Sequence, residues 1–444
     1  MSCGRFAKKD KFSAFSWIFI SFGFIFFGTL LFVNYNSWSK EFYGMHAEIA
    51  GETLSEELPK HAKDCVSFFS QLNESMVTKI GQRNCRKALT NLTLIAAYAY
   101  SDYSVVTIDS CQWYGRKVYC HYFDADWKEL GPPVESVVFP EFAVHCCRHP
   151  RAAYMGLTES EDEEVNFTVS ILDRTVDKPK YNLSVCLAPM YGNESKWLLL
   201  AELIEHYKLQ GVQHVYLYVK DIDEYSRLLI DDYERSGEVE VVYLKKEQDR
   251  YGWEWHMVGV EECLHRSRHH SRYAIFTDID ERIMALGNQT LAEYTSKAMT
   301  EKTNIGMLQF RQTWVLRPKK PPNKYEGEVT LKKHLPTLIF HNTSAVGPRG
   351  HTVKCIIDPR RVLIMWIHYV LLYFPGYKGV TVSAPPDKAI IRHYRDLVDD
   401  NWGTTWIHEV ERFGNFTMTD YPPQLMVKLY RKVKERLFRV YRRT

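Results

Sequence analysis

Two aspartates stand one residue apart in the run Thr277-Asp278-Ile279-Asp280-Glu281, directly after the apolar stretch Tyr273–Thr277, which reads as a strand. Carboxylates so placed at a strand exit can reach one hard cation from a fixed backbone. Mg²⁺ or Mn²⁺ held by one or two carboxylates completes its shell with waters and substrate phosphates. A diphosphate leaving group needs such neutralisation. Alone, an Asp-X-Asp is most often a surface turn; its placement decides what it means.

The placement comes from the elements around it. Leu183–Ala188, His214–Val219, Val239–Leu244 and Tyr273–Thr277 read as strands, with helices predicted over Lys196–Gln210, Tyr225–Ser236 and Met257–Arg268 between them. That alternation has the pitch of βαβ units and predicts a mostly parallel sheet covered by helices. Ligands of such sheets sit at the carboxyl ends of the strands. The same end carries Pro189, Met190 and Tyr191 after the first strand and Lys220 and Asp221 after the second, candidate walls for a nucleotide's base and ribose. Phosphatases of the haloacid dehalogenase type also place Asp-X-Asp after a strand, but they carry Thr two residues beyond the second Asp. Arg282 stands there in this chain, and no glycine-rich phosphate cradle accompanies it.

Upstream, Leu92 to about Leu172 is a series of short aromatic and β-branched runs broken by Gly, Pro, Asp or Ser, which predicts a small all-β module. The chain thus divides into a tip at 1–11, an anchor at 12–33, a stem at 34–90, a β-rich module at 91–178 and an α/β domain at 179–444. Phe12–Val33 carries no charge and, at 1.5 Å per residue, reaches about 33 Å, enough for a bilayer core. It is longer than a signal-peptide core and ends in bulky residues, which predicts an uncleaved anchor. Arg5, Lys8, Lys9 and Lys11 precede it against Asp10 alone, so the tip is expected in the cytosol and the body in the lumen. Asn73, Asn91, Asn166, Asn182, Asn193, Asn288, Asn342 and Asn415 each open an acceptor triplet for N-glycosylation, all after the anchor. Nine of the 10 cysteines also follow it, an odd number, so most are expected to pair and at least one to stay free or bridge two chains. Cys111 and Cys120 could close a hairpin, whereas Cys186 and Cys263 lie in apolar runs that suit core thiols. With 57 basic and 54 acidic side chains in 444 residues, net charge gives no pointer to nucleic acid. The basic tail from Lys428 carries Met426, Tyr430, Val433 and Leu437 on one stripe and predicts an amphipathic helix packed on the body.

The opening "YNLSVCLAPMYGNESKWLLLAELIEHYKLQGVQHVYLYVKD", the segment "EECLHRSRHHSRYAIFTDIDERI" and the late "VLIMWIHYV" and "AIIRHYRD" together resemble glycosyltransferase family 92. The resemblance runs from Tyr181 to about Trp402. It implies a GT-A, Rossmann-like nucleotide-sugar fold and inverting, metal-dependent transfer, with UDP-galactose as donor and a glycan such as fucose on N-glycans as acceptor. It further implies Mn²⁺ or Mg²⁺ on Asp278 and Asp280, completed by a late histidine: His393 in "IIRHYRD" fits best, with His368 as runner-up. Arg392 and Arg395 flank it and could meet donor phosphates bidentately. Arg282 departs from the family's aromatic residue after Asp-X-Asp-Glu, which bears on the donor pocket. For the proton of the acceptor hydroxyl, Glu281, Glu326, Glu328, Asp358 and Asp387 are candidate carboxylates, Glu281 and Asp387 being taken forward. The aromatic stretch Tyr251–Met257 and the basic, proline-rich 317–333 could border the site. The expectation is a Golgi type II membrane glycosyltransferase; a tethered glycan-binding relative without activity is the alternative. Because the resemblance starts near Tyr181, the β-rich module is expected not to be needed to build the donor site, but to pack against the α/β domain and help hold or select the acceptor.

Overall fold

The computed structural model describes residues 57–82, 85–245, 250–398 and 406–442. The anchor expected at 12–33 lies outside the described residues; among those described, no helix is long and apolar enough to cross a membrane. The fold is mixed α/β. A short helix, α1 (Phe69–Val77), precedes seven strands: β1 (Leu94–Ala99), β2 (Tyr103–Ile108), β3 (Lys117–Phe123), β4 (Val134–Val137), β5 (Ala143–Cys147), β6 (Tyr154–Thr158) and β7 (Thr168–Asp173). These form one sheet in the order β4-β3-β6-β7-β1-β2-β5, antiparallel except where β1 meets β7.

The alternating part follows as β8 (Tyr181–Met190), α2 (Trp197–Leu209), β9 (His214–Val219), α3 (Glu224–Arg235), β10 (Val239–Tyr243), α4 (Trp255–Ser267) and β11 (Ser271–Thr277). Each turn back is sharp. Gly211, just past the end of α2, has φ +86°, and a Cβ there would fall 2.7 Å from Ala292, so only glycine closes this cap. Beyond β11 come β12 (Glu281–Ala285), α5 (Leu291–Glu301), β13 (Ile305–Phe310), β14 (Gln312–Arg317), α6 (Glu328–His334), α7 (Pro336–Ile339) and β15 (Asn342–Thr343). The chain then forms β16 (Lys354–Ile357), β17 (Val362–Met365), β18 (Val370–Tyr373), β19 (Val380–Ser383), β20 (Ala389–Asp396), α8 (Ile407–Glu411), β21 (Thr417–Met418) and α9 (Pro423–Tyr441).

The main sheet runs β10-β9-β8-β11-β16-β13-β19. It is parallel from β10 through β11, as the alternation predicts, and becomes mixed where β16 enters antiparallel to β11. A second sheet, β12-β20-β14-β15-β21, starts directly after the two aspartates. Helix α9 lies against α2 and buries Val433 and Leu437 of the expected stripe together with Leu429, while Met426 and Tyr430 are half-buried.

The cysteine expectations need correction. Cys111 bonds Cys85 and Cys120 bonds Cys146, so no bridge closes the hairpin between them. Cys186 and Cys263 are not core thiols but a disulfide joining β8 to α4. Cys65 bonds Cys147, and Val66, Phe68 and Leu72 are buried in the core of the seven-stranded sheet, so this part of the expected stem is fastened to that sheet. Cys355 is the free cysteine among the described residues.

Helix α4 packs against β8 and β11 of the main sheet and also against β1, β2 and β17. Glu262 on this helix is 1% exposed. It accepts hydrogen bonds from the hydroxyls of Tyr98 on β1 and Tyr218 on β9, and Arg266 holds it at 2.7 Å. Arg268 donates to Tyr103 on β2 at 3.2 Å and to the Val362 carbonyl at 2.7 Å. A buried ion stripped of such partners costs several kcal/mol. A chain begun at about residue 175 would lose the Tyr98 and Tyr103 partners and uncover Trp255, Val258 and Leu264 of the shared apolar cluster, and is therefore expected to aggregate rather than fold. Size-exclusion chromatography and near-ultraviolet circular dichroism check this; a monodisperse fragment with a cooperative melt would refute it.

Candidate active site

Strand β11 delivers Asp278 and Asp280 at its carboxyl end, where the chain turns into β12. The turn is built by Glu281. Its carboxylate accepts the Asp278 backbone N–H at 2.9 Å and the Thr277 hydroxyl at 3.2 Å. Burial raises its pKa, and at 1% exposure it faces inward rather than toward a substrate. Of the two roles open to Glu281, base and orienter of the aspartate pair, its burial leaves the base role no open path, and its hydrogen bond to the Asp278 N–H agrees with the orienting one.

Strand β20 runs antiparallel to β12 and sets His393 opposite Glu281. His393 Nε2 lies 3.2 Å from Asp280 Oδ2, and its Nδ1 lies 2.8 Å from Gln312 Oε1 on β14. Burial opposes both ions, yet the His393 ring holds the Asp280 carboxyl well below the usual range, and Asp280 in turn raises the imidazole. Side chains alternate along a strand, so Arg395 shares the face of His393. Its charge acts on both Asp280 and Tyr191. Arg392 is sent to the opposite face, where it donates to the Thr419 hydroxyl at 2.8 Å, the Thr419 carbonyl at 3.0 Å and the Tyr394 hydroxyl at 3.2 Å. The donor-phosphate role given to Arg392 is corrected on that ground. Asp387 is exposed in the turn that precedes β20, six residues before His393 and beyond the opposite end of that strand. The structure does not bring it to the aspartates.

Of the other wall residues, Tyr191 is 44% exposed beside the Asp-X-Asp turn and covers Gly252, where a Cβ would lie 2.3 Å from its ring. Pro189 is buried beneath α4; a Cβ on Gly259 would come within 2.5 Å of its Cγ. Lys220 is 7% exposed, its ammonium 5.5 Å from the Trp255 ring centroid and 3.6 Å from Asp221. Those two therefore shape the wall from behind. A cavity of about 810 Å³ opens beside Ile279, lined by Asn193, Lys196, Arg317, Lys320, Pro321 and Asp396 among others, so the basic proline-rich segment does border it.

Two neighbours of Asp278 went unread in the sequence. Lys354, 2% exposed on β16, places its ammonium 2.9 Å from Asp278 Oδ2 and 3.4 Å from Glu281 Oε2. His256, at the start of α4, sets Nε2 3.4 Å from Asp278 Oδ1. Burial would raise the Asp278 carboxyl, but Lys354 and His256 outweigh it and hold it at about 2. Burial, helped by Lys354, pushes His256 down to about 4, so its ring is neutral at pH 7. His368, the runner-up, donates Nδ1–H to the Val353 carbonyl at 2.8 Å and lies within electrostatic reach of Asp278. A signal for Lys354 existed: one lysine inside the apolar run Val353–Ile357 needs a buried partner. His256 was hidden in a stretch read for its aromatics.

Arg282 stays out of the cleft. Fully buried, it pairs with Glu202 at 2.9 Å and donates to the Ile279 carbonyl at 2.8 Å, bracing the turn from behind. Its departure from the family's aromatic residue leaves the aspartates untouched.

The family model of glycosyltransferase family 92 matches residues 181–429, more than half of the chain. A β-1,4-galactosyltransferase of Caenorhabditis elegans, galt-1, is 24% identical over 228 residues, half of each chain. This chain thus spans about half the length of that curated relative. Among solved structures, HddC of Yersinia pseudotuberculosis is matched at 12% identity and a TM-score of 0.27, over 53% of this chain and all of that one. TarS 1-349 of S. aureus with UDP is matched at 11% and 0.23, over 59% of this chain and 66% of that one. Likenesses this slight carry no argument.

Proposed function

Because the chain belongs to glycosyltransferase family 92, we propose that it transfers a hexose from a nucleotide donor to a glycan acceptor with inversion, on a GT-A scaffold. The observation that carries this is the pairing of Asp280 with His393 beside Asp278, at the carboxyl end of the parallel strands and next to a cavity of about 810 Å³. UDP-galactose is the proposed donor, since the curated relative is named a galactosyltransferase, and fucose on N-glycans is a proposed acceptor.

The residues fit a divalent cation. Asp278 Oδ1 is buried without a hydrogen bond, and Asp280 and His393 add hard oxygen and imidazole nitrogen donors. Mn²⁺ or Mg²⁺ there would neutralise charge on the departing diphosphate. The chain's own side chains do the rest. Arg395 adds positive charge on the same strand face and Tyr191 forms the open wall. The cavity lining is mixed in charge, Lys196 pairing with Glu194 at 2.9 Å and Arg317 with Asp396 at 2.6 Å beside Lys320 and Asp223.

Four disulfides among the described residues favour an oxidising compartment, and seven of the eight sequon asparagines are exposed. Asn182 is the exception, half-buried on β8 with its amide donating to Ser296. We therefore propose a Golgi-luminal body, tethered as a type II membrane protein. A hydrolysis screen of UDP- and GDP-sugars with Mn²⁺ tests the activity. UDP-galactose is expected to turn over fastest; silence across all donors would favour the glycan-binding alternative.

A further inference from the structure

Lys354 is a buried cation in direct contact with the Asp-X-Asp turn. It comes from β16, the strand that joins the sheet antiparallel to β11, with Cys355 opposite Phe276. Its ammonium therefore rises beside Asp278 from the neighbouring strand. It takes Asp278 Oδ2 at 2.9 Å and Glu281 Oε2 at 3.4 Å. Glu281 Oε2 also accepts the Asp278 N–H at 2.9 Å, so ammonium, carboxylate and backbone close a ring around this one side chain. The result is asymmetric. Oδ2 is held by the ammonium, while Oδ1 is left without a hydrogen bond, 3.4 Å from the ring nitrogen of His256.

We propose that Lys354 is a positioning residue that fixes the rotation of the Asp278 carboxylate, so that Oδ1 alone is presented to the divalent cation. This rests on the metal-dependent reading above. The physical reason is preorganisation: a carboxylate free to turn must be ordered when the cation binds, and one clamped through its other oxygen is ordered already. Partners behind a metal ligand are typically worth 10–100-fold in metal affinity. With only 2% of Lys354 exposed, it acts through Asp278 and does not touch the donor.

The test is Mn²⁺ binding to the full-length protein in detergent, followed by electron paramagnetic resonance without any sugar nucleotide. Lys354→Met is expected to raise the Mn²⁺ dissociation constant about 10–100-fold. Lys354→Gln is expected to show the same loss and serves if the Met variant fails to fold. In an Asp278→Asn background, either change is expected to add less than about threefold, because the clamp no longer has its ligand to hold. Wild-type or tighter Mn²⁺ binding by the Lys354 variants would overturn the positioning role while leaving the metal reading intact. Full additivity with Asp278→Asn would overturn it as well. If the wild type itself binds no Mn²⁺, the metal reading falls first and the inference with it.

Discussion

Asp280→Asn is expected to lower sugar-nucleotide turnover at least about 100-fold while the protein still folds. The amide keeps the size of the side chain but removes the charge that a hard cation needs, and with it the ion pair to His393 Nε2 at 3.2 Å. The turn should survive, because the Tyr394 N–H bonds the backbone carbonyl of residue 280 at 2.8 Å and the carboxylate takes no part in that bond. His393→Ala should be milder, about tenfold, since water can replace one nitrogen ligand. Steady-state kinetics with and without chelator decide the matter. Near-normal activity of Asp280→Asn that chelator leaves unchanged would remove this aspartate from the mechanism.

Glu202→Ala should be the most destabilising single change near the site. Glu202 and Arg282 are both fully buried, and the same carboxylate also accepts the Thr337 N–H at 2.8 Å and its hydroxyl at 2.6 Å. Removing it strands a guanidinium in the core, a loss of about 3–5 kcal/mol. The paired change Glu202→Leu with Arg282→Met should recover part of that stability, because no charge is then left unpaired. It should still lose turnover, because nothing then holds the Ile279 carbonyl between the two aspartates. Chemical denaturation and donor hydrolysis on the same samples separate the two effects.

Local pattern carried much of this architecture. His214–Val219 is a strand with the bounds the alternation predicted, and Asp278 and Asp280 do stand at the exit of a parallel strand. What pattern missed depends on which face a residue takes or on what crosses from a distant strand. Arg392 and Arg395 look equivalent as flanks of His393, yet the pleat sends one to Thr419 and the other to the cleft side. Lys354 meets Asp278 only because β16 enters the sheet antiparallel, a pairing that no spacing along the chain announces. The disulfides failed similarly: short sequence separation suggested Cys111 with Cys120, whereas Cys111 is joined to Cys85 and Cys120 on β3 to Cys146 on β5, a strand not adjacent to it in the sheet order.

The shared packing around α4 has a consequence for descent. The family match begins at residue 181, yet the hydrophobic cluster containing Trp255, Val258 and Leu264 also contains Ala62, Phe68, Tyr98 and Val105. A boundary of recognisable sequence here runs through the middle of one folded core. The N-terminal sheet is not expected to be freely exchangeable as a cassette, for any replacement would need tyrosines matched to Glu262 and Arg268. Lineages carrying this helix face should have inherited both halves together. Chimeras that swap only residues 181 onward between relatives should succeed only where those partners are retained.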